Sequence, residues 1–128
     1  MIVTKKDLIQ KPVAKETKVL AQSLYSTYLS NGCDPYIFEP VNKFYDLFGF
    51  SDKDASLNRL LTIFMDLTEP ILLEYFEFNT KRYSNLILTF CNYKILHHMH
   101  QIYLEIEIDE RYLEALKSYV LDPYLKVN

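Results

Sequence analysis

Apolar positions recur along this chain with two different periods. Over residues 14–29 (AKETKVLAQSLYSTYL), Leu20, Leu24 and Tyr28 return every four residues, with Val19 and Ala21 beside them. That period predicts a helix, and Ser30-Asn31-Gly32 stops it, because Asn and Gly accept the left-handed conformation at a helix end. Tyr36-Ile37-Phe38 is a short apolar run after Pro35 and reads as a stub of strand. Val41, Phe44, Tyr45 and Phe48 then fall at i, i+3, i+4 and i+7, one apolar face. Pro40 stands at the first helical position, where its missing N–H is not needed, and Gly49 is the stop. Ser51 and Asp54 form a capping-box pattern for a third helix. Leu57, Leu60, Leu61, Phe64 and Leu67 carry its apolar stripe, and Thr68-Glu69-Pro70 closes it.

From residue 71 the period shortens. ILLEYFEFN (71–79) and LILTFCNYKI (86–95) are dense in strand-favouring residues. The polar stretch TKRYSN (80–85) between them predicts a β-hairpin with that stretch as its loop. IYLEIEID (102–109) alternates strictly. Ile102, Leu104, Ile106 and Ile108 take one face, and Tyr103, Glu105, Glu107 and Asp109 the other, as in a half-buried strand. A last helix spans 110–121, with Leu113, Leu116 and Val120 inward, and ends before Pro123. Residues 86–106 also fit a helix through Leu88, Cys91, Ile95, Met99, Ile102 and Ile106, and on that reading the protein is all-α.

Composition bounds what these elements can build. The 128 residues suit one domain, able to bury about two-thirds of the surface its unfolded form exposes. No repeat, linker or low-complexity run divides it. The organisation read here is a basic N-terminal arm over 1–13 and a single domain over 14–128. An aromatic content of 15%, from 11 Tyr and 8 Phe, is incompatible with disorder over most of the length. Two cysteines, Cys33 and Cys91, stand outside any C-x-x-C pair and suit free thiols in a reducing compartment. No run reaches the 18 or so apolar residues of a membrane span. The expectation is a cytoplasmic protein without a membrane partner.

Charge narrows the partners. The net charge is -3, and phosphate binding needs a basic footprint. Lys5, Lys6, Lys11, Lys15 and Lys18 concentrate in the first 18 residues, while Glu105, Glu107, Asp109, Glu110, Glu114 and Asp122 dominate the last 28. Such asymmetry can mark a partner surface or two solvated faces.

The order helix, strand stub, helix, tight turn, helix, hairpin is that of a winged helix-turn-helix, with Gly49-Phe50-Ser51-Asp52 as the turn. Over about residues 16–95, LYSTYLSNGCDPYIFEPVNKFYDLFGFSDKDASLNRLL followed by LLEYFEFNTKRYSNLILTF resembles the winged-helix domains of plasmid replication initiators. The resemblance implies a winged-helix fold, and with the third strand and last helix read above the expectation is an α+β domain of three helices, a hairpin, a third strand and a C-terminal helix. The small size and texture of the chain add the expectation of a protein carried by a mobile element, a plasmid or phage. Helix 53–67 would be the reading helix, with Ser56, Asn58, Arg59 and Thr62 (and Asp66) on its outward face. Asn and Arg can contact adenine and guanine edges. Lys81, Arg82 and Tyr83 would sit on the wing at 80–85. Two uses of this arrangement stand open: a protein–protein module, or a DNA-binding replication or transcription factor. A homodimer suits either, since DNA half-sites favour twofold symmetry.

Other chemistry has weaker signals. His97, His98 and His100, with Cys91 nearby, include metal-ligand types, but they also read as a polar segment entering a strand. Glu105, Glu107 and Asp109 alternate with apolar residues, as the solvent face of a strand does. With only Gly32 and Gly49 there is no phosphate-cradling loop. G-x-S-x-G and H-E-x-x-H are absent from the sequence. Cys91 lies in an apolar run, where a buried inert thiol is the expected state. The reading is therefore non-enzymatic binding, with no cofactor.

Overall fold

The first helix, α1 (Lys15–Ser30), buries Thr17, Leu20, Ala21 and Leu24, the stripe that its period lays out. This computed structural model describes residues 14–50 and 53–118. The arm at 1–13, the Ser51–Asp54 capping box and the inward positions of Leu116 and Val120 lie outside what it describes. β1 (Tyr36–Pro40) follows, then α2 (Val41–Phe48) and α3 (Lys53–Leu67). Pro40 is the N-cap of α2, one residue before the helix. Gly49 ends α2 with φ +70°, while Phe50 N–H donates to the Tyr45 carbonyl at 2.9 Å and Gly49 N–H to that of Asp46 at 3.3 Å. That pair of bonds is a Schellman closure, and the Phe50 and Tyr45 rings supply its hydrophobic contact at 6.5 Å.

Four strands come next: β2 (Ile71–Phe78), β3 (Lys81–Leu88), β4 (Cys91–His98) and β5 (Gln101–Ile108). α4 (Glu110–Ser118) completes the described chain. Asp109 caps α4: its Oδ1 accepts from Arg111 N–H at 2.8 Å, and the Arg111 guanidinium returns to the same carboxylate at 2.9 and 3.2 Å.

The fold is therefore mixed α+β, and the all-α alternative is set aside, because 86–106 forms strands. The expected hairpin is corrected too. Its turn is Asn79-Thr80, not 80–85, and Tyr83-Ser84-Asn85 lie inside β3. The run 86–95 is broken at Thr89-Phe90, so its second half is β4 and belongs to another sheet. β2 and β3 form a two-stranded antiparallel sheet of their own. β1, β5 and β4 form a three-stranded antiparallel sheet in that order, with Ile37 opposite Ile106 and Tyr93 opposite Ile106 on its other side.

One core joins these parts. Leu104, Ile106 and Ile108 of β5 face the helices, with Phe44 and Phe64 packed edge to face at 5.8 Å. Tyr93 of β4 lies 4.9 Å from Phe64. Phe90 meets Tyr112 of α4 edge to face at 5.0 Å. Because Phe90 N-terminally adjoins β4 and its carbonyl accepts from Asp109 N–H, this contact holds the second sheet's exit and α4 against the same core. Ile71, Leu86 and Leu88 bring the β2–β3 hairpin into it. No helix among the described residues is long and apolar enough to cross a membrane.

Candidate functional site

The residues singled out on α3 do not share one environment. Asn58, Arg59 and Thr62 are exposed, but Ser56 is 2% exposed and buried. The buried stripe of α3 runs through Ser56, Leu60, Ile63, Phe64 and Leu67, leaving Leu57 and Leu61 half-buried. The helix is thus rotated from the orientation its leucines suggest, and Ser56 is corrected from a surface contact to an interior position. The Thr62 hydroxyl donates to the Asn58 carbonyl at 2.9 Å. The Arg59 guanidinium lies 4.0 Å from the centroid of the Phe50 ring, a cation–π contact. Asp66 accepts from Thr17 at 2.6 Å. Among its described side chains, α3 offers outward Asn58, Thr62 and the exposed Met65, a nearly neutral strip with Arg59 at its border.

Lys81, Arg82 and Tyr83 stand on β3, in the two-stranded sheet. Lys81 and Arg82 are exposed, and Arg82 pairs with Glu77 at 3.6 Å across the hairpin. Tyr83 packs partly against the core. The wing residues are therefore not on the hairpin that pairs toward β1. That hairpin is β4–β5, and its turn is Met99-His100. His97 and His98 end β4 and His100 sits in the turn, all exposed. Among the described residues no group of three or more His, Cys, Asp or Glu is placed to hold a metal ion. The acidic residues separate in role: Asp109 caps α4, while Glu105 and Glu107 face outward from β5. Cys91 is buried, and burial pushes its thiol up to about 12, so it is not a thiolate near neutrality. Cys33 is exposed.

A different surface has the features of a contact site: the outer face of the three-stranded sheet. Directly opposed residues in a sheet share a face. The register therefore places Tyr36, Phe38 and Pro40 of β1, Glu107, Glu105 and Tyr103 of β5, and Asn92, Lys94 and Leu96 of β4 together, away from the core. The Phe38 and Tyr103 rings stack at 5.1 Å and 8°. Phe38 remains 45% exposed and Leu96, opposite Tyr103, 40%. Beside them, Tyr36, Asn92, Lys94, Glu105, Ile106 and Glu107 line a hollow of about 60 Å³. Small-molecule sites are typically several hundred Å³, so this hollow fits a side-chain tip. The Tyr36 phenol is raised above its ordinary pKa by desolvation and by the neighbouring Glu105 carboxylate.

Sequence reasoning placed Tyr103, Glu105 and Glu107 outward but did not single out Tyr36, Phe38 or Leu96. The available signal was the alternation in β1, where Ile37 is flanked by two aromatic residues that cannot both be buried with it. Comparison of the chain with protein-family models, curated proteins and solved structures finds no match in any of the three.

Proposed function

We propose that this chain is a winged-helix-type binding module that acts by protein–protein interaction through the outer face of its three-stranded sheet. The winged-helix assignment is supported by order and pairing. Helix, strand, helix and helix precede a hairpin, β4–β5, whose second strand returns to pair with β1. β2–β3 is then an insertion between the third helix and that hairpin.

The exposed Phe38–Tyr103 stack carries the protein-binding reading. Aromatic residues are enriched where proteins meet, because a rigid ring buries large area at small entropic cost. Glu105 and Glu107 beside the stack favour a partner with apolar and cationic side chains. They oppose a phosphate backbone. Duplex DNA is the competing partner, through Asn58, Arg59 and Thr62. Among the described side chains of α3, Arg59 is the single cation, and it is seated over Phe50.

Affinity capture with the whole chain, compared with Phe38→Asp and Arg59→Ala, separates the two. A partner protein held by the wild type and by Arg59→Ala, and lost with Phe38→Asp, supports the proposal. Retention on duplex DNA that falls steeply with salt, survives Phe38→Asp and is lost with Arg59→Ala would overturn it.

A further inference from the structure

We infer that the free edge of β4 pairs antiparallel with the same edge of a second copy of this chain, joining two three-stranded sheets into one of six strands. β4 is the last strand of its sheet, and no strand among the described residues pairs with its outer side. An edge strand presents unpaired backbone groups, and proteins that stay monomeric blunt such edges with charge, proline or short length. The opposite edge follows that rule: β1 has five residues and ends in Pro40. β4 has eight, contains no proline and carries Lys94 as its only Lys or Arg.

From Lys94 to His98 its side chains are exposed on both faces. Ile95 points to the core side, opposite the fully buried Leu104, yet it is 38% exposed. Leu96 points to the outer side and is 40% exposed. A neighbouring strand across the edge would cover both at once. A partner that lies only on the outer face would leave Ile95 bare.

Charge selects the register. With a twofold axis perpendicular to the sheet, the two copies keep matching faces together, so each register is centred on one residue. Centring on Lys94 sets Lys94 against itself. Centring on Leu96 sets Lys94 against His98. Centring on Ile95 sets Ile95 against itself, Lys94 against Leu96, Tyr93 against His97 and Asn92 against His98. Only this last register of the three opposes no like-charged or potentially like-charged pair, and it buries the most exposed aliphatic residue of the inner face. Both Phe38–Tyr103 stacks then lie on the same side of the joined sheet.

Sedimentation of the whole chain over a range of concentrations tests this, alongside Ile95→Lys and a Cys33→Ser/Ile95→Cys variant. The wild type is expected to be a reversible dimer. Ile95→Lys, which sets two charges on the axis, is expected to weaken it by about tenfold or more, with an unchanged urea midpoint when both proteins are unfolded at a concentration low enough to be monomeric. Opposed strand positions lie about 4.5–5.5 Å apart at Cα, within disulfide reach, so the cysteine variant should cross-link on oxidation. Cys33→Ser/Lys94→Cys, set against Leu96, should not. A monomer at every concentration, or a dimer indifferent to Ile95→Lys that does not cross-link at residue 95, overturns the inference. Neither result bears on capture of a partner through Phe38.

Discussion

The Thr17 hydroxyl donates to the Asp66 carboxylate at 2.6 Å, tying the first turn of α1 to the last turn of α3. Thr17 is buried, so its hydroxyl has no alternative in water. Hydrogen bonds to charged groups contribute about 1.5–3 kcal/mol. Thr17→Val keeps the shape and removes the donor. Urea unfolding at pH 7 should show a loss of about 1–3 kcal/mol with an unchanged m-value. A loss below the error of that measurement would mean that the two helices are held by packing alone.

Both hairpin turns force ordinary residues into left-handed backbone. Asn79 and Thr80 have φ of 51° and 65°, and Met99 and His100 have 48° and 66°. A non-glycine residue pays roughly 1–2 kcal/mol there, partly offset by the entropy that glycine would lose on folding. Thr80→Gly and Met99→Gly are therefore each expected to stabilise by about 0.5–1 kcal/mol. Gly49→Ala should do the reverse. An added Cβ meets nothing within 4 Å, so the expected net cost of about 0.5–1 kcal/mol is backbone strain less the entropy that glycine would lose on folding. Thermal melts of the three variants give the signs directly.

The two thiols should react in separate phases. Cys33 is exposed and Cys91 buried, with its thiol pushed up to about 12. A thiol reagent at pH 8 is expected to modify one cysteine per chain quickly, identified as Cys33 by peptide mapping. The second should follow only as fast as the protein opens, and denaturant should make both fast. Rapid native modification of Cys91 would contradict its burial.

Arg59 is expected to matter modestly for stability. Its contact with Phe50 braces the turn between α2 and α3, and such contacts at exposed sites contribute about 0.5–1 kcal/mol. Arg59→Ala should lose that much, and Arg59→Lys less. Lys81→Ala and Arg82→Ala, on an exposed strand with one 3.6 Å ion pair, should change stability by less than about 0.5 kcal/mol. Urea midpoints of the four variants rank these effects.

How far the sequence could be read depended on whether each element carries its own instructions. α1 and α2 do: their apolar residues repeat at helical spacing, and Gly32 and Gly49 stand at or just beyond their ends. β5 does as well, because one buried face imposes strict alternation. The β2–β3 and β4–β5 turns do not. A two-residue hairpin ordinarily announces itself with glycine, and Asn79-Thr80 and Met99-His100 contain none. The polar Tyr83-Ser84-Asn85 therefore looked like a loop, although an exposed two-stranded sheet tolerates polar residues in its strands. The rotation of α3 was equally hidden. Leu57 and Leu61 are as apolar as Leu60, and only the packing of Phe44 and Tyr93 around Phe64 decides which face turns inward.

By itself the sequence determined the local elements: which segments are helices, that β5 has a wet and a dry face, and that the chain is acidic and aromatic. These follow from dihedral preference and hydrophobic period, which act over a few neighbouring residues. Only the tertiary structure decided that residue 36 meets residue 107, that β4 and not β3 joins that sheet, and that Phe38 finds Tyr103. The β1–β5 pairs join residues 63 to 71 positions apart. The β1–β5 register has no local signal, because it is set by which faces the whole core buries at once and not by a turn between the two strands. The candidate interaction face exists only as the outcome of that pairing.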